Sequence, residues 1–127
     1  MKGVVDNGGR SLLEVLIRKT RTSDSVLVKV WVDTGFTGDL VLPKRLVDEF
    51  DLQRSGSVDG VLADGSEIEL STYTCAIEWF GFVRKLEVIA NEGEYPLLGV
   101  GMLLGLALCI DNRNLKLSLT PTAYEGA

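Results

Sequence analysis

Histidine is absent from all 127 residues. That excludes Ser-His-Asp and Cys-His nucleophilic catalysis, and it excludes histidine-ligated zinc. Cysteine is scarce: Cys75 and Cys109 stand far apart with no CxxC pair, so neither a cluster nor a redox motif is expected. Two buried free thiols in a reducing cytoplasm is the simplest reading, with a disulfide between them as the alternative. There is no run of Lys or Arg and the net charge is −5, so no nucleic-acid partner is expected. The N-terminal residues lack the apolar core of a signal peptide, which points to the cytoplasm. One uncharged stretch, Pro96 to Ile110, has 15 residues and three glycines. A spanning helix needs roughly 20 residues, so the run reads as buried core and no membrane partner is expected.

What is present is an ordinary globular balance, 46% hydrophobic and 24% charged, at a length that suits one domain over residues 1–127. Strand signals dominate. Leu12–Lys19 and Val26–Asp33 are apolar runs joined by the polar turn Thr20–Ser25. Leu40–Pro43 reads as a short strand, with Pro43 opening a helical turn that runs to Phe50. Val58–Ala63 and Ser66–Tyr73 flank Asp64-Gly65, a dipeptide suited to a tight hairpin with positive φ at both central positions. Ala76–Phe80 and Arg84–Ala90 form a further pair around Gly81, and Asn91–Tyr95 is a polar loop. Val100–Leu104 reads as one or two helical turns, and Leu106–Asp111 with Leu115–Leu119 as a closing hairpin. The order around Asp33–Phe50 partly recurs around Leu86–Leu104. Many short strands with glycine turns and little helix predict an all-β, closed or sandwiched fold.

Val30–Pro43 (VWVDTGFTGDLVLP) carries the chemistry. An acidic residue ends an apolar strand and is followed by Thr34, Gly35, Phe36, Thr37 and Gly38. A carboxylate buried between two such strands is costly unless its charge is stabilised or shared. Gly35 lets the backbone turn so that the carboxylate of Asp33 accepts neighbouring N–H groups. This stretch resembles the active-site loop of retropepsin-like (clan AA) aspartic proteases, in the Asp-Thr-Gly-Phe form of a small prokaryotic branch. Leu62 to Ser66, with Ala63, Asp64 and Gly65 between them, resembles the flap hairpin of that family. Leu97-Leu98-Gly99 resembles the apolar–apolar–Gly motif that precedes its C-terminal helix.

The resemblance implies a closed acid-protease barrel with one or two short helices, a single lobe that pairs with an identical copy. It implies an aspartic endopeptidase with Asp33 as the catalytic residue, acting on a peptide or protein substrate without metal or cofactor. Since the chain offers one Asp-Thr-Gly, the second aspartate comes from the other subunit of a homodimer. Two carboxylates held about 3 Å apart cannot both ionise, so they share a proton and activate water together. Thr34 would brace the paired loops, Gly35 would present its backbone to substrate, and Phe36 would narrow the pocket beside the carboxylates. Gly101 stands where relatives often carry Asp. The competing reading keeps the fold and makes the chain a catalytically inactive dimeric peptide-binding or scaffold module. Asp48, Glu49 and Asp51 read as decoration of a helix end, Asp39 as a surface or substrate-contacting residue, and Trp31 and Trp79 as core or interface anchors.

Overall fold

The computed structural model describes residues 1–123 and Glu125; Tyr124, Gly126 and Ala127, the tail of the expected single-domain span, lie outside the described residues. The chain is built almost wholly of strands. β1 (Lys2–Val5), β2 (Ser11–Arg18), β3 (Ser25–Val32) and β4 (Leu40–Pro43) come first, followed by helix α1 (Lys44–Glu49). β5 (Gln53–Val61), β6 (Glu67–Trp79) and β7 (Phe82–Asn91) form the middle. β8 (Leu97–Leu98), a 3₁₀ turn (Val100–Met102), β9 (Leu106–Asp111) and β10 (Lys116–Pro121) complete it.

Among the described residues, ten strands join one sheet in the order β5-β6-β7-β4-β8-β3-β2-β1-β10-β9. An added pairing of β2 with β6, through Leu16↔Glu78, Ile17↔Ile77 and Arg18↔Ala76, closes six of them into a barrel. The inward residues of that ring explain the closure. Val15, Ile17, Val30, Leu42, Ile77, Val88 and Leu98 are all at most 1% exposed and pack into one core. Burial of such side chains stabilises by about 1.5–3 kcal/mol each. The expected internal recurrence has a structural form. β8 lies between β3 and β4, parallel to the first and antiparallel to the second, while β4 lies between β8 and β7. Each half thus inserts its second strand into the other.

Several sequence expectations are revised by tertiary pairing. Ser66–Tyr73 and Ala76–Phe80 are one continuous strand, β6, because its outer part pairs with β5 while its inner part pairs with β7 and β2. The N-terminal residues form β1, a strand held by β2 and β10 that has too few apolar residues to show a period by itself. Cys109 is exposed on β9, and only Cys75 is buried; both are free thiols. Among the described residues, no helix is long and apolar enough to cross a membrane.

Candidate active site

Asp33 follows directly on β3, and the strand's alternation sets its place. Val32 is buried and Asp33, half-buried, stands at the barrel's open end, so the carboxylate is less enclosed than the flanking apolar runs suggested. Its backbone N–H donates to the Leu98 carbonyl at 2.8 Å, which ties the residue to β8. The chain then turns sharply: the Gly35 N–H donates to Asp33 Oδ1 at 2.9 Å and the Phe36 N–H to the Asp33 carbonyl at 3.2 Å. A Cβ at Gly35 would lie 3.2 Å from Asp33 Oδ1, so glycine permits the carboxylate to fold back onto the amide. Thr34, Gly35 and Thr37 are exposed.

The loop is locked from below by the second apolar-glycine motif. The Gly99 N–H donates to the Asp39 carbonyl at 2.9 Å, the Val100 N–H to the Phe36 carbonyl at 2.8 Å and the Gly101 N–H to the Gly38 carbonyl at 3.0 Å. Leu97, Leu98 and Gly99 are therefore brought directly against the segment Asp33–Asp39. The crossing is too close for side chains: a Cβ on Gly99 would lie 2.8 Å from the Phe36 carbonyl oxygen and would collide with that of Gly38. The Phe36 ring lies over the same two glycines, Gly38 and Gly99, and acts as a strut for the crossing. Asp39 turns inward, its carboxylate filling the space that a side chain at Gly101 would need. That accounts for the glycine there.

The proposed flap is the hairpin of β5 and β6. Among the described residues β5 pairs with β6 alone, so the hairpin projects from the barrel, and residues 62–66 share no hydrogen bond with residues 33–39. Its turn differs from the expected two-residue form. Gly65 has φ +85° but Asp64 is not left-handed; Gly65 N–H donates to Leu62 O at 2.9 Å and Leu62 N–H to Ser66 O at 2.8 Å. This is a three-residue turn over Ala63, Asp64 and Gly65, closed by glycine in the αL position. The Ser66 hydroxyl and N–H both donate to Asp64, and in that order they hold its carboxyl below the usual range. Positive φ at both centres occurs instead at Phe80 and Gly81, between β6 and β7.

A further group adjoins the loop. Trp31 lies two residues before Asp33 on β3 and so on the same strand face. It is 38% exposed and meets Tyr95 edge-to-face at 6.2 Å. The Arg10 guanidinium stacks 4.4 Å from the Tyr95 ring centre and is paired with Asp6 at 2.7 Å. The Arg10 backbone N–H, then its guanidinium, holds Asp6 below the ordinary carboxylate range. In the sequence, Arg10 and Tyr95 carried no signal, since only the fold brings three distant segments together; the i, i+2 spacing of Trp31 and Asp33 was the one clue. Among the described residues, no cluster of three or more acidic or cysteine side chains is placed to hold a metal ion.

A closed β-barrel whose Asp-Thr-Gly loop is laddered to a Leu-Leu-Gly strand, with a projecting hairpin, is the retropepsin-like aspartic protease fold. The solved structures agree. A retropepsin-like aspartic protease from Rickettsia conorii superposes with a TM-score of 0.64 at 19% identity, covering 92% of this chain and 88% of that one. The EIAV protease, in complex with the inhibitor HBY-793, superposes with a TM-score of 0.55 at 20% identity, over 77% of this chain and 88% of that one. No family model and no curated protein matches the sequence.

Proposed function

We propose that the chain is the subunit of a homodimeric aspartic endopeptidase, with Asp33 from each copy forming the catalytic pair. The observation that carries this reading is the Asp33 loop itself: one carboxylate per chain, oriented by the Gly35 amide and cross-laddered to Leu98 and Gly99. Thr34 and Thr37 are left exposed beside it, where a second copy would meet them. With two such loops face to face, the carboxylates share a proton. The ionised member takes a proton from water while the protonated member polarises the substrate carbonyl; one proton then passes to the departing amine, which leaves the pair singly protonated again. The β5–β6 hairpin would close over an extended peptide lying across the pair. Two free thiols, one of them exposed, suit the reducing cytoplasm.

The test is cleavage of a peptide library by wild type and by Asp33→Asn. The variant should fold normally and lose at least about a hundredfold in kcat/KM, since neither asparagine can take or share the proton. Unchanged hydrolysis by the purified variant would exclude the mechanism. Peptide binding by the wild type without any cleavage would favour the scaffold reading.

A further inference from the structure

Among the described residues the sheet ends on two strands, β5 and β9. Natural sheets block such ends with charge, proline or bulges, because an open edge accepts another strand. β5 is blocked in this way: it carries Arg54 and Asp59, and its ladder to β6 slips between Arg54 and Gly56. β9 is not. Leu106–Ile110 (LALCI) holds no charge, proline or glycine, and its register with β10 is unbroken. The strands next to it, β10 and β1, are already paired on both sides.

The bonds of β10 show which backbone groups of β9 are free. The Leu119 N–H donates to the Met1 carbonyl at 2.8 Å and the Val5 N–H donates to the Leu115 carbonyl at 3.0 Å, so Leu115, Leu117 and Leu119 face β1. Backbone groups of successive residues point to alternate sides. Lys116, Ser118 and Thr120 therefore face β9, opposite Asp111, Cys109 and Ala107. The Thr122 N–H continues the series to the Gly105 carbonyl at 3.0 Å. Leu106, Leu108 and Ile110 are left aiming their backbone groups outward. The Leu106 N–H donates to the Leu103 carbonyl at 3.0 Å, and no described residue bonds the remainder. Leu106 and Leu108 pack their side chains on the barrel core, while Ile110 on the same face is 37% exposed.

We propose that β9 pairs antiparallel with β9 of a second copy, centred on Leu108, and that this seam assembles the two-chain site. The inference rests on the two-copy reading of the Asp33 loop. Two observations select a copy of the same chain. First, the strand is its own complement. About Leu108, the two Leu108 residues exchange both bonds, and each Ile110 N–H reaches the Leu106 carbonyl of the other chain. The exposed Ile110 is then covered by Leu106, Ala107 faces Cys109, and Asp111 falls opposite Gly105. No like charges meet along the seam, which matters for a chain that carries −5. Second, β9 leaves from the 3₁₀ turn whose Val100 N–H donates to the Phe36 carbonyl at 2.8 Å. One short turn thus joins the open edge to the loop that needs a second carboxylate.

Sedimentation equilibrium of the wild type should show monomer and dimer. From monomer to dimer, hydrogen exchange should slow about tenfold or more at the Leu108 and Ile110 amides, while the Ala107, Cys109 and Asp111 amides stay slow in both. Ile110→Pro removes an outward N–H that β10 does not use, and Ile110→Glu puts a carboxylate on the seam with the backbone intact. Each should fold, judged by slow Ala107 and Cys109 amides, yet weaken association at least about tenfold and lose cleavage in step. Ala107→Cys should oxidise to a covalent dimer with Cys109 of the second copy, its Cα about 4.5 Å away. The wild type should not, because its two Cys109 residues lie diagonally, roughly 8 Å apart. Dimerisation and cleavage that survive both Ile110 variants overturn the seam and leave the two-chain site standing. A wild type that cleaves as a monomer overturns both, and one that stays monomeric at every concentration overturns the seam. So does slow exchange of Leu108 and Ile110 in the monomer, or their protection by an added peptide without dimerisation, which would assign the edge to other occupants.

Discussion

Glycine at two positions near Asp33 serves two different ends, and substitution separates them. Gly99 has φ −94°, which any residue adopts, so its constraint is purely steric. Gly99→Ala drives a methyl into the carbonyls of Phe36 and Gly38, and should cost roughly 1–3 kcal/mol, read as a lowered thermal midpoint. At Gly35 the nearest atom to an added Cβ is Asp33 Oδ1, so Gly35→Ala should melt close to wild type while losing kcat/KM by displacing the carboxylate. If both variants melt alike, the assignment of structure to one and orientation to the other is wrong. Cys75 supplies a pH test. Burial pushes its thiol from the ordinary 9.0 up to about 12. The unfolded chain therefore releases that proton first, so its contribution to stability is whole below about pH 9 and is lost as pH rises towards 12. Denaturant titrations from pH 8 to 11 should show a steeper loss for wild type than for Cys75→Ala. Thiol reagents at pH 8 should label Cys109 in the native protein and reach Cys75 only on unfolding.

At the scale of elements, the hairpin of β5 and β6 depends on one left-handed residue at its tip. Gly65→Val places a β-branched side chain at φ +85°, where it is strained, yet nothing lies within 4 Å of a Cβ there. Peptide cleavage should fall far more than thermal stability; normal cleavage would show that the hairpin is no flap. The same hairpin shows what was legible in the sequence. Asp64-Gly65 correctly marks a turn, because Gly and Asp both favour one, but the dipeptide does not distinguish a two-residue from a three-residue loop. The tighter form occurs at Phe80-Gly81, where an aromatic residue accepts φ +50° because its ring packs edge-to-face on Trp79 at 5.3 Å. Strand runs with a buried face, such as Val26–Val32 and Leu40–Pro43, could be read from their apolar residues. β1, and the continuity of β6, depend on partners distant in the chain and left no local trace. Likewise Asp33, Gly35 and the Leu97–Gly99 motif were visible as motifs, whereas the inward turn of Asp39 and the stack of Arg10 on Tyr95 required the fold.

For the whole molecule, a site shared between two copies makes a quantitative demand. Mixing equal amounts of wild-type and Asp33→Asn chains, after exchange of subunits, should leave about a quarter of the activity, because only wild-type pairs hold both carboxylates. A site complete within one chain would retain about half. The barrel also carries a consequence of how it closes. Its last join, β2 with β6, consists of three residue pairs and brings together positions as far apart as Ile17 and Ile77. The Arg18–Glu78 ion pair at 3.3 Å clasps it but leaves Arg18 Nε and Glu78 Oε2 without a partner among the described residues. A short contact that closes a long stretch of chain forms late and opens early, since the entropy of closure precedes its reward. Refolding should therefore wait at an unlatched barrel that exposes two strand borders at once. The speed of that latch, more than the depth of the core, then decides between a refolded chain and an aggregated one.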